Sequence, residues 1–248
     1  MDIFFEIHQD LPREGPGCNE ATRKAFMMIS AMPSQPLILD VGCGPGAQTL
    51  ELAKLSEGYV IGVDNHLPFL KQLKTKAREA RLSDRIKTLN GSMFEMSFKE
   101  GSFDLIWAEG SIYIMGFEKG LKNWRHFLKP GGFLSVTEVS WLKENPPQEL
   151  YDFWMRGYPA IKNIQENQAL IQKCGYKEIG YFLLEEKAWW DDYYNPLEKR
   201  IQKLRQKYRD DKEALLQLDE ESYEISLYRR FSEWYSYVFY IMKKQDMD

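Results

Sequence analysis

Leu39-Asp40-Val41-Gly42-Cys43-Gly44-Pro45-Gly46-Ala47 is the stretch from which the rest of the chain can be read. The short apolar run Leu37–Val41 suits a strand buried on both faces of a parallel sheet. It stops at a cluster of glycines, Gly42, Gly44 and Gly46. Glycine lets the backbone turn sharply from strand into helix, and the missing Cβ lets a ligand approach the main chain. A second run, Tyr59–Val63, ends at Asp64. A carboxylate there can accept hydrogen bonds from both hydroxyls of a ribose. Together the two features call for a nucleoside-type ligand.

Outward from this pair the chain alternates. Thr49–Leu55 and Leu67–Ala80 read as helices, Arg85–Leu89 as a weak strand and Phe103–Trp107 as a strong one. Phe117–Leu128 reads as a helix, followed by a Pro-Gly-Gly turn and the strand Phe133–Val139. Strands alternating with helices imply right-handed βαβ units and a parallel sheet covered on both faces. Upstream, residues 11–18 (LPREGPGC) form a loop, and Asn19 is placed to cap a helix over Ala21–Ala31 that Pro33 and Pro36 end.

After Trp141 the pattern changes. Pro146, Pro147 and Pro159 surround an aromatic-rich stretch. Gln165–Cys174 is a helix that Gly175 ends, and Tyr176–Leu184 is a strand. Residues 196–233 are charged, with apolar residues at helical spacing. Trp234–Met242 (WYSYVFYIM) has no helix period and is dense in β-formers. It is expected as an antiparallel strand beside Tyr176–Leu184.

Composition narrows the function classes. A net charge of −4 gives no general attraction for nucleic acid or anionic membranes. No apolar run is long enough for a transmembrane helix, and MDIFFEIHQD is not read as a signal peptide. Cys18, Cys43 and Cys174 lack disulfide or zinc spacing, and His8, His66 and His126 are scattered. No metal site is expected, and a reducing cytoplasm is the expected compartment.

Two ligands fit the glycine loop. Gly42-x-Gly44-x-x-Ala47, with Asp64 about twenty residues on, also matches the dinucleotide pattern G-x-G-x-x-A. Asp40 favours the other option. A carboxylate ahead of the loop is unhelpful beside a pyrophosphate, but useful beside the ammonium and sulfonium of S-adenosylmethionine, directly or through water. Pro45 and Gly46, between the second and last small residues, point the same way.

LDVGCGPG (39–46), VIGVD (60–64), FDLIWAEGSIY (103–113) and LKPGGFL (128–134), in this order and spacing, resemble class I S-adenosylmethionine-dependent methyltransferases. The likeness is to the small-molecule type related to the quinone-biosynthesis enzymes. LPREGPG and WAEGSIYIMGFE further resemble a bacterial and archaeal subgroup for which no substrate follows.

The resemblance implies an α/β, Rossmann-like fold: a seven-stranded, mostly parallel sheet with an antiparallel last strand, helices on both faces and a helical insertion. One domain would span 1–248: N-terminal loop, helix and lid (1–36), cofactor-binding core (37–140), aromatic segment (141–160), helical insertion (190–233) and last strand (234–243).

It also implies site roles. The loop residues Gly42, Cys43, Gly44 and Gly46 would meet the methionine part of S-adenosylmethionine, with Asp40 ahead of them. Asp64 and its neighbour Asn65 would meet the ribose. Ser92 stands where the family commonly has an acid against adenine, and Met93 offers the ring an apolar face. Glu109 ends the fourth strand, where cofactor and acceptor meet; it is a candidate for the ammonium group or the acceptor. Tyr113 and Glu138 are the catalytic candidates, with Trp141 and Tyr158 as further pocket walls. Each also has a plain reading: Cys43 as a small filler, Glu109 as a loop acid, the rings as core, His126 as structural.

Methyl transfer is an in-line displacement from a sulfonium, so alignment, dehydration and at most one proton removal are what a protein must provide. The expected partner is a small methyl acceptor, and a homodimer is compatible with such a surface. Two other classes share these motifs: a cofactor-binding regulator without transfer, and a nicotinamide-dependent oxidoreductase.

Overall fold

The computed structural model describes residues 3–246. Their elements are α1 (Ile3–Ile7), α2 (Asn19–Met27), β1 (Leu37–Val41), α3 (Ala47–Leu55), β2 (Tyr59–Asp64), α4 (Leu67–Glu79), β3 (Ile86–Asn90), β4 (Phe103–Ala108), α5 (Ile112–Met115), α6 (Phe117–Arg125) and β5 (Leu128–Trp141). Then follow α7 (Gln148–Gly157), β6 (Lys162–Asn163), α8 (Ile164–Lys173), β7 (Tyr176–Leu183), α9 (Lys187–Trp189), a π-turn (Trp190–Tyr194), α10 (Asn195–Lys207), α11 (Lys212–Phe231) and β8 (Tyr235–Lys244).

The sheet order is β3-β2-β1-β4-β5-β8-β7. From β1 the chain builds outward through β2 and β3, then returns to β4 on the other side. The carboxyl ends of β1 and β4 therefore border a switch point, where a crevice opens in such sheets. β8 runs antiparallel between β5 and β7, in register from Phe133↔Lys243 to Trp141↔Tyr235.

The expected seven strands become eight. The two-residue β6 pairs with Ser140 and Trp141 of β5. Its strand character comes from tertiary pairing, because no apolar period marks it. Phe117–Leu128 ends as a helix at Arg125 instead, because the Phe103 N–H donates to the Phe127 carbonyl (3.0 Å) and Leu128 already pairs with Phe103. The Pro-Gly-Gly segment is thus part of a long β5. The helix expected through Ala31 stops at Met27. Asn19 does not cap it: Cys18 holds that position without a side-chain bond, and the Asn19 amide oxygen accepts from Arg13 Nη2 (2.9 Å).

Both faces of the sheet are packed. Leu39, Ile106, Leu134 and Tyr240 meet Ile112, Leu121, Trp124 and Ile171 on one side. Ile38, Val60, Leu105 and Phe239 meet Ala21, Ala25, Leu52 and Ala53 on the other. A third cluster joins Ile7, Leu11, Leu150, Trp189, Leu197, Leu218 and Tyr235, tying the N-terminal segment and the insertion to the ends of β5 and β8. No described helix is long and apolar enough to cross a membrane.

β8 is an interior strand, and Val238, Phe239, Tyr240, Ile241 and Met242 are fully buried. Deleting residues 234–248 would expose the edges of β5 and β7 together with that core. The expected outcome is insoluble protein. A truncated chain that stays soluble and melts cooperatively would overturn this account.

Candidate functional site

A cavity of about 320 Å³ lies at the carboxyl ends of β1, β2 and β4. Its floor is the glycine loop. Gly42 has φ +72°, and a Cβ there would sit 2.5 Å from the Ser111 Cβ. Ser111 is held in place by donating its hydroxyl to the Val41 carbonyl (2.6 Å). Gly46 has φ +89°, and a Cβ would lie 2.2 Å from Leu73 Cδ1. Neither conformation nor space admits a side chain at these two positions.

The turn also orients the acid. Gly42 and Cys43 donate their N–H groups to the Val63 carbonyl (2.8 and 3.0 Å). Gly44 N–H donates to Asp64 Oδ2 (2.9 Å), and His66 N–H to Asp64 Oδ1 (2.8 Å). Burial raises the Asp64 pKa, and these two bonds oppose the rise. Each carboxylate oxygen keeps acceptor capacity beyond its one main-chain donor. Asn65, Ser92 and Met93 share the same wall, beside Gly44 and Asp64.

Asp40 is placed differently. It is fully buried and off the cavity wall, accepting from Thr49 Oγ1 (2.5 Å) and, more weakly, Gln48 Nε2 (3.4 Å). Burial, with the charge of Glu109 adding, pushes its pKa up to about 7. It reaches the wall through Gln48, which also donates to the Cys43 carbonyl (3.2 Å). The Cys43 thiol is buried against the position a Gly62 Cβ would take, and burial raises its pKa; it fills space.

Glu109 is on the wall, but its oxygens are occupied. Oε2 accepts from Arg13 Nη1 (2.9 Å), while Oε1 accepts from Thr22 Oγ1 (2.7 Å) and Trp107 Nε1 (2.9 Å). The Arg13 and Glu109 side chains are 5% and 4% exposed. This ion pair anchors the 11–18 loop over the cavity. The next residue, Glu14, packs over Gly44, and its Oε1 has no partner. Burial, reinforced by the charge of Asp64, pushes its pKa up to about 8. Arg13, Glu14 and Gln48 escaped the sequence reading. The REG of LPREGPG was the available signal, since it puts two opposite charges in a loop otherwise built from Pro and Gly.

α1 closes one side. The Phe5 ring stacks on His66 at 3.8 Å, and both line the cavity. Glu6 accepts from Lys207 Nζ and the Tyr208 hydroxyl (2.6 Å each), fixing α1 to α10.

At the far end Tyr113 lines the cavity, its ring edge-on to Tyr158 at 5.9 Å. The Tyr158 hydroxyl donates to Glu138 Oε1 (2.6 Å). Glu138 is 1% exposed and its Oε2 has no partner. Burial pushes its pKa up to about 8. Tyr113 is therefore on the wall, with Glu138 behind Tyr158. Of the other rings, Trp107 is buried beneath Glu109, while Trp141 and Trp154 pack on Tyr235. His126 packs on Phe127, off the cavity wall. Among the described residues no cluster of His, Cys, Asp or Glu is arranged to hold a metal ion.

Residues 38–132 match the family described as "Methyltransferase domain". The sterol 24-C-methyltransferase of Pneumocystis carinii is 29% identical over 176 residues, covering 68% of this chain. The match spans about half (47%) of that relative's own length. A methyltransferase structure from Thiobacillus denitrificans with S-adenosylhomocysteine superposes with TM-score 0.86 at 18% identity, covering 99% of both chains. One from Geobacter sulfurreducens, also with S-adenosylhomocysteine, gives 0.85 at 18% identity over 99% of this chain and 98% of that one.

Two outcomes follow from the buried charges. Arg13→Met leaves the Glu109 carboxylate buried without its cation, so chemical denaturation should register a loss of about 3–5 kcal/mol. A loss under about 1 kcal/mol would show that the pair does not anchor the loop. For Glu138, the unfolded carboxyl ionises near the ordinary value of 4.5 while the folded one keeps its proton up to about 8. Stability therefore falls as pH rises through that window, at about 1.4 kcal/mol per tenfold difference in proton affinity. Glu138→Gln does not titrate. Its stability relative to the parent protein should thus rise from about pH 5 to about pH 8, and a pH-independent difference would refute this.

Proposed function

We propose, from a chain whose residues 38–132 match a methyltransferase-domain family, that it moves the methyl group of S-adenosylmethionine onto a small, largely apolar acceptor. One observation carries this reading: the glycine loop, the main-chain-held Asp64 and the Ser92–Met93 segment face one cavity that ends at Tyr113. The cavity falls in the range of small-ligand sites.

The residues present fit the cofactor. Asp64 is oriented to accept from paired ribose hydroxyls. Gly44 brings main chain to the cavity wall beside Gly42 and Cys43, with Glu14 packed over it and one Glu14 oxygen left without a partner. Met93 gives an apolar surface for the adenine. When bound, the cofactor supplies a methyl group on a good leaving group. The protein's part is alignment and exclusion of water, with Phe5, His66 and the 11–18 loop closing the near side and Tyr113 facing the acceptor.

The kinship with a sterol 24-C-methyltransferase supports an apolar acceptor. The three free thiols support a cytoplasmic enzyme.

Calorimetry should show S-adenosylmethionine and S-adenosylhomocysteine binding in the micromolar range, with NAD silent. Asp64→Ala should weaken both by about 1.5–3 kcal/mol, as expected for hydrogen bonds to a charged group. NAD binding, or an unchanged affinity in the variant, would sink the assignment. Release of S-adenosylhomocysteine across a metabolite panel, with product masses, separates an enzyme from a cofactor-binding regulator.

A further inference from the structure

Among the described residues three carboxyls line the cavity: Glu14, Asp64 and Glu109. Glu109 is committed to Arg13, Thr22 and Trp107, and each Asp64 oxygen holds a main-chain donor. Glu14 differs from both, because its Oε1 is buried and accepts from no donor. Its side chain lies over Gly44, with Cγ 3.3 Å from the place a Gly44 Cβ would take. Gly44 in turn donates its N–H to Asp64 Oδ2 (2.9 Å), so the two carboxyls flank one glycine at the cavity wall. The loop is pinned on both sides of Glu14. Arg13 pairs with Glu109, and the Gly17 N–H donates to the Ala188 carbonyl (2.9 Å). A buried polar atom without a partner costs stability, and at a cavity wall a ligand can supply that partner.

The surroundings of Glu14 set which partner it suits. Asp64 at the end of β2 and Asp10 ahead of the loop disfavour its charge, and Lys76 of α4 favours it. Burial is the largest influence and pushes its pKa up to about 8. Arg13, next in sequence, is taken up by Glu109. Asp64 is the carboxyl whose charged form is favoured by main-chain donors. The wall therefore offers an acceptor-only carboxylate beside a carboxyl that can donate as well as accept. A vicinal diol is matched by such a pair. Its hydroxyl protons go to the carboxylate, and an oxygen lone pair takes the carboxyl proton.

Resting on the methyltransferase reading above, we infer that Glu14 is a second ribose-binding residue, gripping from the 11–18 loop the diol that Asp64 holds from β2. The loop is then part of the binding site, and the Arg13–Glu109 pair positions a ligand-binding side chain. When Glu14 loses its proton, the donor is gone and a second negative charge stands beside Asp64. Affinity for the ribose therefore falls as pH rises through about 8. Glutamine at the same place keeps a donor and an acceptor and does not titrate.

The test is calorimetric titration of the full chain with three ligands. They are S-adenosylhomocysteine, 5′-methylthioadenosine, which has the ribose without the amino acid end, and the 2′,3′-dideoxy analogue of the latter. Glu14→Ala should weaken the first two alike, by about tenfold, and leave the affinity of the dideoxy analogue unchanged. Glu14→Gln should keep the parent affinities near pH 7 within about twofold. Between about pH 6.5 and about pH 9 the parent should lose about tenfold in affinity for 5′-methylthioadenosine, which has no group titrating there, and Glu14→Gln should lose none. Unchanged affinities in Glu14→Ala overturn the inference, as does a parent profile that is flat or shared by Glu14→Gln. A loss confined to S-adenosylhomocysteine also overturns it, by placing Glu14 at the amino acid end. Equal weakening of the dideoxy analogue does so too, by making Glu14 a prop for the loop. Failure of both S-adenosylhomocysteine and 5′-methylthioadenosine to bind the parent protein would instead remove the methyltransferase reading.

Discussion

The turn between β1 and α3 has to be made in left-handed backbone, and two of its positions have no room for a Cβ. At Gly42 the space belongs to Ser111, at Gly46 to Leu73. This constraint reaches beyond the turn. It aims two N–H groups at the Val63 carbonyl and a third at Asp64, so the ends of β1 and β2 are stitched together at the cavity floor. Asp64 is thereby fixed by main chain rather than by a neighbouring side chain, and no rotamer change elsewhere can release it. Leu73 on α4 and Ser111 before α5 are seated by the same steric fit. The loop thus sets the position of elements on both sides of the switch point.

The buried Arg13–Glu109 pair solves a different problem. The N-terminal segment shares no strand with the sheet, yet it forms one wall of the cavity. A charge pair out of water is not a strong source of net stability, but it is costly to break and strict about geometry. Here Thr22, Trp107 and Asn19 satisfy the remaining polar capacity. The register of residues 11–18 over the strand ends follows, and with it the placement of Glu14 above Gly44. The other end of the segment is held by Glu6 on α10. The cavity wall and the helical insertion are therefore joined through α1.

The alternation of strands and helices along the chain, the glycine loop and the pairing of the last strand beside Tyr176–Leu184 were legible because each depends on local chemistry: apolar runs, glycine spacing, β-formers without a helix period. Asp64 was legible for the same reason, as the residue that ends a strand beside the loop. What escaped depends on contacts distant in sequence. Nothing near Lys162 marks a strand until it pairs with β5. The end of α6 is decided by Phe103, which draws Phe127 and Leu128 into the sheet. Asp40 read as a ligand group from its place just ahead of the glycine loop, whereas Thr49 and Gln48 on the next helix occupy its oxygens. Glu109 read as a candidate for the ammonium group or the acceptor, and its ion-pair partner was not visible because it lies 96 residues away in the N-terminal loop.

The carboxyls around the cavity are chemically alike, and their surroundings separate them. Asp64 receives a main-chain donor on each oxygen, and these bonds favour its charged form against burial. Glu109 receives a guanidinium and two further donors, which commits it to structure. Glu138 receives one tyrosine hydroxyl, keeps an oxygen without any partner, and holds its proton up to about 8. That one hydrogen bond offsets only part of its desolvation, so the proton stays. Donors are thus concentrated at the glycine-loop end of the cavity and scarce at the Tyr113 end. A fixed set of hydrogen bonds makes the glycine-loop end the rigid one.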